Sequence, residues 1–284
     1  AGGTLAYSKY SKPHPDPLLQ GEGAEQVPTV PEPPKPVVTH IPTPTPVKAV
    51  YMSSWVAASP KNFDHVMQLV DSTEVNAVVL DIKDATGRVS FLVDDPIIKD
   101  TNSPENRIKN VNEFINNLHA KNIYVIGRIS TFQDPYLTKV KPELALTKKS
   151  DGSVWTDRKG LAFLDPANKA VWDYNVALAN ASYNLGFDEI NFDYIRYPSD
   201  GDIKNINYKL VTKEDGTMTT RAENIESFMK FVNEQLRLKN PDIKTSADLF
   251  GLVTTETTDM GIGQVLEKAL PYFDYIGPMI YPSH

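Results

Sequence analysis

Short apolar runs alternate with longer amphipathic stretches along most of the chain. The apolar runs are rich in β-branched residues, as strands buried on both faces are. Six such runs occur, at 48–55, 75–84, 123–130, 187–198, 243–251 and 275–282. Between them, apolar residues recur at helical spacing, as Phe63, Val66 and Val70 do. The pattern therefore predicts six strands that alternate with five helices.

This alternation predicts an α/β fold with a parallel sheet covered by helices. A doubly wound sheet and a (β/α)8 TIM barrel both fit the pattern. The barrel is favoured because no glycine-rich phosphate loop follows the first strand, and because charged residues recur where the strands end. Only six strands precede His284. We therefore expect either a sheet that does not close or, preferably, a barrel truncated at its C-terminus after the sixth strand.

Prolines are concentrated at the start of the chain. Eleven of the 22 prolines precede Val47, and residues 27–46 have the composition of a polyproline II spacer. The sequence thus predicts a disordered Pro-rich tail or linker over residues 1–47, and an incomplete barrel domain over residues 48–284. The alternative is an irregular tail packed on that domain.

Composition and charge exclude several classes of binding and catalytic site. A net charge of −7 gives no basic footprint for nucleic acid, and the absence of cysteine excludes thiol nucleophiles and thiolate metal sites. No histidine pair has metal-ligand spacing, and His119 is expected to face solvent from its helix. No metal or organic cofactor is predicted. Because the sequence begins at Ala1 rather than Met, we allow for an upstream segment that tethers the protein to the cell envelope.

Charged and aromatic residues mark the C-terminal ends of successive strands. They are Trp55 after the first strand, Asp81 and Lys83 on the second, Arg128 on the third, Asp193 and Arg196 on the fourth, Asp248 on the fifth and Tyr281 on the sixth. Because strand residues alternate between faces, Asp193 shares a face with Glu189 and Asn191 and can point toward the barrel axis. Asp81 and Lys83 share a face by the same rule.

Several carboxylates on one rim, with cations between them, suit glycosidic chemistry. That chemistry needs one carboxylate as nucleophile or base and a second carboxyl as proton donor. Aromatic residues such as Trp55 and Tyr281 can stack on sugar rings. Each of these side chains also has a structural alternative, since a strand-end Asp can cap a helix or pair with an arginine.

Several motifs together resemble a bacterial family of proposed glycoside hydrolases that are mostly secreted or associated with the envelope. The motifs are VKAVYMSSW, VVLDIKD, FDEINFDYIRYPSDG, SADLFG and YIGPMIYPSH, and the resemblance covers about residues 47–284. It implies a TIM barrel distantly similar to those of the α-amylase and α-galactosidase groups. It also implies Asp193 as the nucleophile and Asp248 as the acid/base. Asn191 departs from the arginine that amylase-like enzymes carry there, and Asp248 departs from their glutamate.

We therefore expect a secreted or envelope-tethered glycoside hydrolase acting on a cell-wall or extracellular polysaccharide. In this hypothesis Asp193 is the nucleophile or base and Asp248 is the proton donor. The residues expected to bind or position substrate are Asp81, Lys83, Arg128, Arg196, Trp55 and Tyr281. Two rivals remain: a non-catalytic carbohydrate-binding barrel, and a metal-dependent polysaccharide deacetylase that the lack of paired histidines disfavours.

Overall fold

Six parallel strands form the central sheet in the computed structural model, which describes residues 38–281. The strands are β1 (Ala49–Met52), β2 (Ala77–Lys83), β3 (Tyr124–Ser130), β4 (Glu189–Asp193), β5 (Lys244–Phe250) and β6 (Tyr275–Met279). Each strand pairs with its successor along the chain, always in parallel. A doubly wound sheet reverses its strand order at a switch point, and this sheet does not. The six predicted strands are confirmed, and they form a curled half-barrel.

Helices follow the strands, as the pattern predicts. The longer ones are α1 (Pro60–Ser72), α2 (Val111–His119), α3 (Lys169–Tyr183) and α4 (Arg221–Lys239). Single α-helical turns lie at Ser54–Ala57, Pro96–Lys99, Leu137–Val140 and Leu266–Ala269, and 3-10 turns at Pro142–Leu144, Ile203–Asn205 and Gly251–Thr254. Thr147–Lys148 pairs with Ile206–Asn207 in a small antiparallel ribbon. The predicted fifth helix is therefore one turn only. Within residues 38–281, no helix has the length and apolar character needed to cross a bilayer.

The two longest helices begin at side-chain caps. Thr220 accepts a hydrogen bond from the backbone N–H of Glu223, whose carboxylate bonds back to the backbone N–H of Thr220. Asn168 caps α3 by accepting from the N–H of Ala170. These caps satisfy N–H groups that the first helical turn leaves without partners. They fix where each helix starts and therefore which of its faces meets the sheet.

The two faces of the sheet differ in polarity. On the helix-covered face, Leu80, Ile82 and Phe192 are fully buried among the apolar side chains of the helices. On the inner face, alternation presents Asp81 and Arg128 instead, together with a small apolar cluster nearer the strand starts. The apolar face holds the fold together, and the inner face is free to carry polar groups toward the C-terminal rim.

The predicted tail boundary is wrong for its last residues. The backbone N–H of Ile41 donates to Asp188 Oδ1 at 2.8 Å, and the Ile41 side chain packs against Tyr124. Thr43 Oγ1 donates to the Tyr124 hydroxyl at 3.1 Å. Residues 39–46 are thus tied to the N-terminal ends of the strands by backbone and side-chain hydrogen bonds that composition does not reveal. The rest of the predicted tail, residues 1–37, lies outside the described residues.

Candidate active site

Arg128 on β3 joins the carboxylates of two neighbouring strands. Its Nη1 donates to Asp81 Oδ1 on β2 at 2.8 Å, and its Nε and Nη2 donate to Asp193 Oδ2 on β4 at 3.0 and 2.6 Å. Parallel register sets Asp81 beside Arg128 on the adjacent strand. Burial opposes the charge of Arg128, but the two carboxylates outweigh burial and raise its pKa. Arg128 is therefore a fixed cation that spans three strands.

Asp81 is the second anchor of this cation. Its Oδ2 accepts a hydrogen bond of 2.6 Å from the Tyr51 hydroxyl on β1, while its Oδ1 is bonded to Arg128. Burial raises the pKa of Asp81, and the bonds from Tyr51 and Arg128 oppose that rise. With a donor on each oxygen and almost no exposed surface, Asp81 orients Arg128 and contacts little else. This arrangement makes it a positioning group.

Asp193 ends β4 in the wall of a cavity. Its Oδ1 accepts from the backbone N–H of Tyr194 at 2.6 Å, and its Oδ2 carries the two bonds from Arg128. Tyr194 has a φ of 54°, in the left-handed region that aromatic residues rarely adopt. The resulting bend turns the backbone N–H back onto the carboxylate. Asp193 is thereby held in one orientation by donors on both of its oxygens.

Asp248 on β5 lies next to Asp193 across the sheet. Phe192 and Ala247 are partners in register, so the next residue of each strand points to the same inner face. Asp248 Oδ1 accepts one hydrogen bond, from Asn191 Nδ2 at 3.2 Å. Burial, followed by the negative charge of Asp193, raises the pKa of Asp248 to about 6. The two carboxyl groups thus sit side by side in different hydrogen-bonding environments.

A glycine on β6 makes room for Asp248. Gly277 is the register partner of Asp248, and a Cβ at Gly277 would come within 2.8 Å of Asp248 Oδ1. Real Cβ atoms do not approach other atoms so closely, so any larger residue would displace the carboxyl group or the strand. Gly277 therefore sets the position of Asp248 from the far side.

A cavity of about 680 Å³ opens beside Asp193. It is lined by Arg128, Asp193, Tyr194, Arg196, Phe250, Gly251, Leu252, Thr254, Thr255, Gln264, Met279, Ile280 and Tyr281. The predicted residues Arg128, Asp193, Arg196 and Tyr281 are brought together in this wall. Asp248 adjoins Asp193 but does not itself line the cavity. Within residues 38–281, no three His, Cys, Asp or Glu side chains are grouped so that they could hold a metal ion.

Lys83 does not join the site, and its prediction as a substrate contact is wrong. Its ammonium donates to Asp134 Oδ2 at 2.8 Å, and both side chains are 0% exposed. A register shift between Asp81 and Lys83 breaks the alternation that put them on one face. Gly87, with a φ of 86°, allows this closure, since a Cβ there would overlap Asp134.

Trp55 lies outside the cavity wall. It is 63% exposed on the helical turn after β1, and the guanidinium of Arg107 covers its ring at 4.4 Å from the ring centroid. Arg107 is itself held by Asp84 and Glu105. Trp55 is thus part of a surface cluster, whereas Tyr281, which is 78% exposed, does border the cavity.

Sequence reasoning missed three residues that support the carboxylates. Tyr51 shares the inner face with its register partner Val79 and so lies beside Asp81; strand alternation was enough to find it. Asn191 was on the predicted face but without a role. Nothing in the sequence marks Gly277, because the need for a glycine there follows from the position of the Asp248 carboxyl group on the next strand.

Residues 49–284 match a family model described as "Putative glycosyl hydrolase domain". The crystal structure of a hypothetical protein from Ruminiclostridium thermocellum ATCC 27405 is 35% identical to this chain, with a TM-score of 0.61. That match covers 70% of this chain and 96% of the other. No curated protein matches the chain in sequence.

Fainter likenesses involve larger proteins. The α-galactosidase TtGalA from Thermus thermophilus, in complex with stachyose, is 12% identical with a TM-score of 0.49, over 82% of this chain and 44% of that one. Ega3 from Aspergillus fumigatus, in complex with galactosamine, is 11% identical with a TM-score of 0.46, over 84% and 69%. The chain thus spans less than half of the α-galactosidase.

Proposed function

Since the chain belongs to the family described as "Putative glycosyl hydrolase domain", as its motifs predicted, we propose that it hydrolyses glycosidic bonds through Asp193 and Asp248. The observation that carries this proposal is the contrast between two adjacent carboxyl groups. Asp193 faces the cavity and receives donors from Arg128 and a backbone N–H. Asp248 is half-buried, and its pKa is raised to about 6. Such a pair divides the roles of nucleophile and acid.

In the proposed first step, an oxygen of Asp193 attacks the anomeric carbon and Asp248 gives its proton to the departing glycosidic oxygen. In the second step, Asp248 takes a proton from water as that water attacks the anomeric carbon and releases Asp193. Asp193 and Asp248 stand on adjacent strands whose backbones are about 4.8 Å apart, and both point to the inner face, which supports the short carboxyl separation of retaining glycosidases. We therefore expect retention of the anomeric configuration.

Arg128 serves this mechanism by fixing the nucleophile. Its two bonds to Asp193 fix Oδ2 and leave Oδ1, bonded only to the Tyr194 N–H, as the freer oxygen. Asp81 and Tyr51 hold Arg128 from the opposite side. A site braced in this way reorganises little as charge develops, which is where electrostatic catalysis gains most.

The wider proposal concerns architecture and setting. Parallel strands paired in chain order support the idea that the sheet is part of a (β/α)8 TIM barrel, whose active sites lie at the C-terminal ends of the strands. A cell-wall or extracellular polysaccharide as substrate, and a secreted or envelope-tethered location, rest on the family resemblance. The non-catalytic carbohydrate-binding barrel remains the rival.

A panel of p-nitrophenyl glycosides of both anomers tests the proposal. We expect Asp193→Asn to lower kcat by about 10³-fold or more on any glycoside that the wild type cleaves, because the nucleophile is lost. Asp71→Asn is the control, since Asp71 is 56% exposed and pairs with Lys121 on the surface. Full activity of Asp193→Asn would exclude Asp193 as the nucleophile.

Product stereochemistry separates the finer claims. Proton NMR of the first-formed sugar is expected to show the anomer of the substrate. Azide is expected to restore turnover to Asp193→Ala by taking the place of the carboxylate, giving a glycosyl azide. An inverted product would overturn the nucleophilic role of Asp193. Sugar binding with no turnover of any glycoside would favour the non-catalytic rival.

A further inference from the structure

Arg196 lies in the cavity wall between three aromatic rings. The carbon at the centre of its guanidinium is 5.1 Å from the ring centroid of Phe250, 5.3 Å from that of Tyr194 and 5.7 Å from that of Phe163. Rings at these distances attract a cation and restrict the plane of the guanidinium. Arg196 is therefore held in place by aromatic contacts.

Arg196 has no acidic partner among the described residues. Its Nη1 donates to the Tyr197 carbonyl oxygen at 3.1 Å and to Ser199 Oγ at 3.4 Å, and no carboxylate within residues 38–281 forms an ion pair with it. Its Nε and Nη2 have no acceptor in that part of the chain. Burial lowers the pKa of Arg196, and Tyr194 and the more distant carboxylates of Asp193, Asp200 and Asp157 oppose that only in part. This is the opposite of Arg128, which two carboxylates share.

Among the charged residues of the cavity wall, Arg196 differs in forming no direct ion pair within the described residues. The charged residues of the lining are Arg128, Asp193 and Arg196. Arg128 is already neutralised by Asp193 and by Asp81 behind it. Arg128, Asp81 and Asp193 together carry one net negative charge, so Arg196 balances the group as a whole without forming a direct ion pair. The cavity therefore offers an anionic ligand group a cation that the protein leaves unpaired.

We propose that Arg196 binds the carboxylate of an acidic sugar, so that the substrate is a glycan containing uronic acid. A planar guanidinium with two free N–H directions matches a carboxylate in a two-point contact. Arg196 follows Asp193 by three residues and lines the same cavity, which sets the recognised carboxylate on a sugar at or next to the cleaved bond. The inference rests on the proposed hydrolase function for its catalytic part only.

Binding tests the inference without turnover. Calorimetry with Asp193→Asn protein is expected to show tighter binding of galacturonate or glucuronate trisaccharides than of the neutral galactose or glucose counterparts. Adding Arg196→Gln is expected to weaken uronate binding by about 30-fold or more, on the scale of a charged two-point contact, and to change neutral binding by less than about threefold. Equal binding of acidic and neutral sugars by the Asp193→Asn protein would overturn the inference.

A matched cation serves as the control. Arg221 stacks on Tyr208 at 5.0 Å outside this cavity, so Arg221→Gln removes the same charge and is expected to leave uronate binding unchanged. Arg196→Lys, which keeps the charge and loses the planar fork, is expected to recover only part of the affinity and covers the case that Arg196→Gln misfolds. An equal loss with Arg221→Gln would mean that net charge alone attracts the sugar, and would overturn the role of Arg196.

Turnover then distinguishes the two proposals. We expect p-nitrophenyl uronides to be cleaved with a lower KM than the matching neutral glycosides, and Arg196→Gln to raise that KM more than it lowers kcat. Cleavage of neutral glycosides with no preference for uronides would refute the acidic-sugar inference and leave the hydrolase proposal standing. Selective uronate binding without cleavage of any glycoside would support the acidic-sugar inference and refute the hydrolase proposal.

Discussion

The two ends of β4 carry carboxylates in opposite circumstances. At the N-terminal end, Asp188 accepts from the backbone N–H groups of Ile41 and Val125 and bonds to His119 Nε2, each at 2.8 Å. The neighbouring Glu189 has a hydroxyl donor on each oxygen. At the C-terminal end, Asp193 faces a cavity and Asp248 beside it has one amide donor.

The difference shows how to tell structural from chemical carboxylates on one sheet. Asp188 and Glu189 have fixed protein donors on both oxygens and do not line the cavity, so their hydrogen bonds serve the fold. Asp193 also has donors on both oxygens, but it faces the cavity and its Oδ1 has a single donor, so a ligand can reach it. Burial alone does not separate the two classes, because both ends of β4 are buried.

The largest expected effect comes from replacing Asp188, which holds its bonds at the N-terminal end of β4. Asp188→Asn puts an amide against the Val125 N–H and His119, so we expect the free energy of unfolding to fall by about 3–5 kcal/mol, as for broken buried pairs. Urea denaturation measures it, with Asp71→Asn as a surface control expected to cost less than about 1 kcal/mol. The kcat of the folded fraction is expected to be unchanged, and a drop in kcat with stability intact would contradict the comparison.

Lys83 tests the comparison because it lies at the C-terminal end of its strand, yet it is fully buried and bonded to Asp134, as Asp188 is buried and bonded at the N-terminal end of β4. Lys83→Met leaves Asp134 charged and buried, so we expect a loss of about 3 kcal/mol in unfolding free energy. Asp134→Asn added to Lys83→Met is expected to recover part of that loss. KM on a cleaved glycoside is expected to stay the same. A raised KM in the folded variant would return Lys83 to the substrate site.

Asp248 is expected to weaken the fold at neutral pH. Its folded-state pKa is raised to about 6, above that of the unfolded chain, so the folded protein binds the proton more tightly. Below pH about 4 Asp248 is protonated in both states and costs no stability. As pH rises from about 4 through about 6, the unfolded chain loses this proton more readily, so the folded state loses stability. We therefore expect Asp248→Asn to gain about 2 kcal/mol above pH 6 and nothing below pH 4, measured by urea denaturation across pH.

The same group sets the pH dependence of activity. The proton donor must be protonated, so kcat/KM is expected to fall as pH rises above about 6. A stability gain for Asp248→Asn that is equal at every pH would mean that the carboxyl group is not strained by its charge. A kcat/KM profile that is flat through pH 6 would remove Asp248 from the acid role.

The smallest expected effect separates the two faces of the sheet. At Gly127 a Cβ would meet Ile82 and Phe187 on the helix-covered face, so Gly127→Ala is expected to cost about 1–2 kcal/mol in stability by overpacking. At Gly277 a Cβ would meet the Asp248 carboxyl, so Gly277→Ala is expected to lower kcat by about tenfold, the equivalent of about 1.4 kcal/mol. Melting curves and kinetics on both variants check this, and the same phenotype from both would contradict it.

Alternation and chain order were sufficient to predict where Asp81, Arg128, Asp193 and Asp248 converge. Parallel strands end at a common rim, and residues two apart share a face, so the C-terminal end of each strand could be placed without any distant contact. The order of the strands followed from the same regularity. These parts of the fold are dictated by local pattern.

The misses at Lys83, His119 and Ile41 depend on distant partners. Lys83 finds Asp134 across 51 residues, and His119, expected in solvent, finds Asp188 across 69 residues, with its side chain only 5% exposed. Ile41 bonds through its backbone N–H to Asp188, which lies 147 residues later in the chain, and such a bond leaves no periodicity in the sequence. A polar residue's partner is set by tertiary geometry, and one sequence contains no record of that geometry.

The direction of the parallel sheet has a practical consequence. Residues 39–46 lie at the strand starts and the cavity lies at the strand ends, separated by about 23 Å along a seven-residue strand such as β3. A bead or sensor chip joined on the N-terminal side of this segment would meet the domain on the face away from the cavity. A linker at Tyr281 would crowd the mouth itself. Immobilisation through the N-terminal side is the orientation that keeps the cavity open to dissolved glycans.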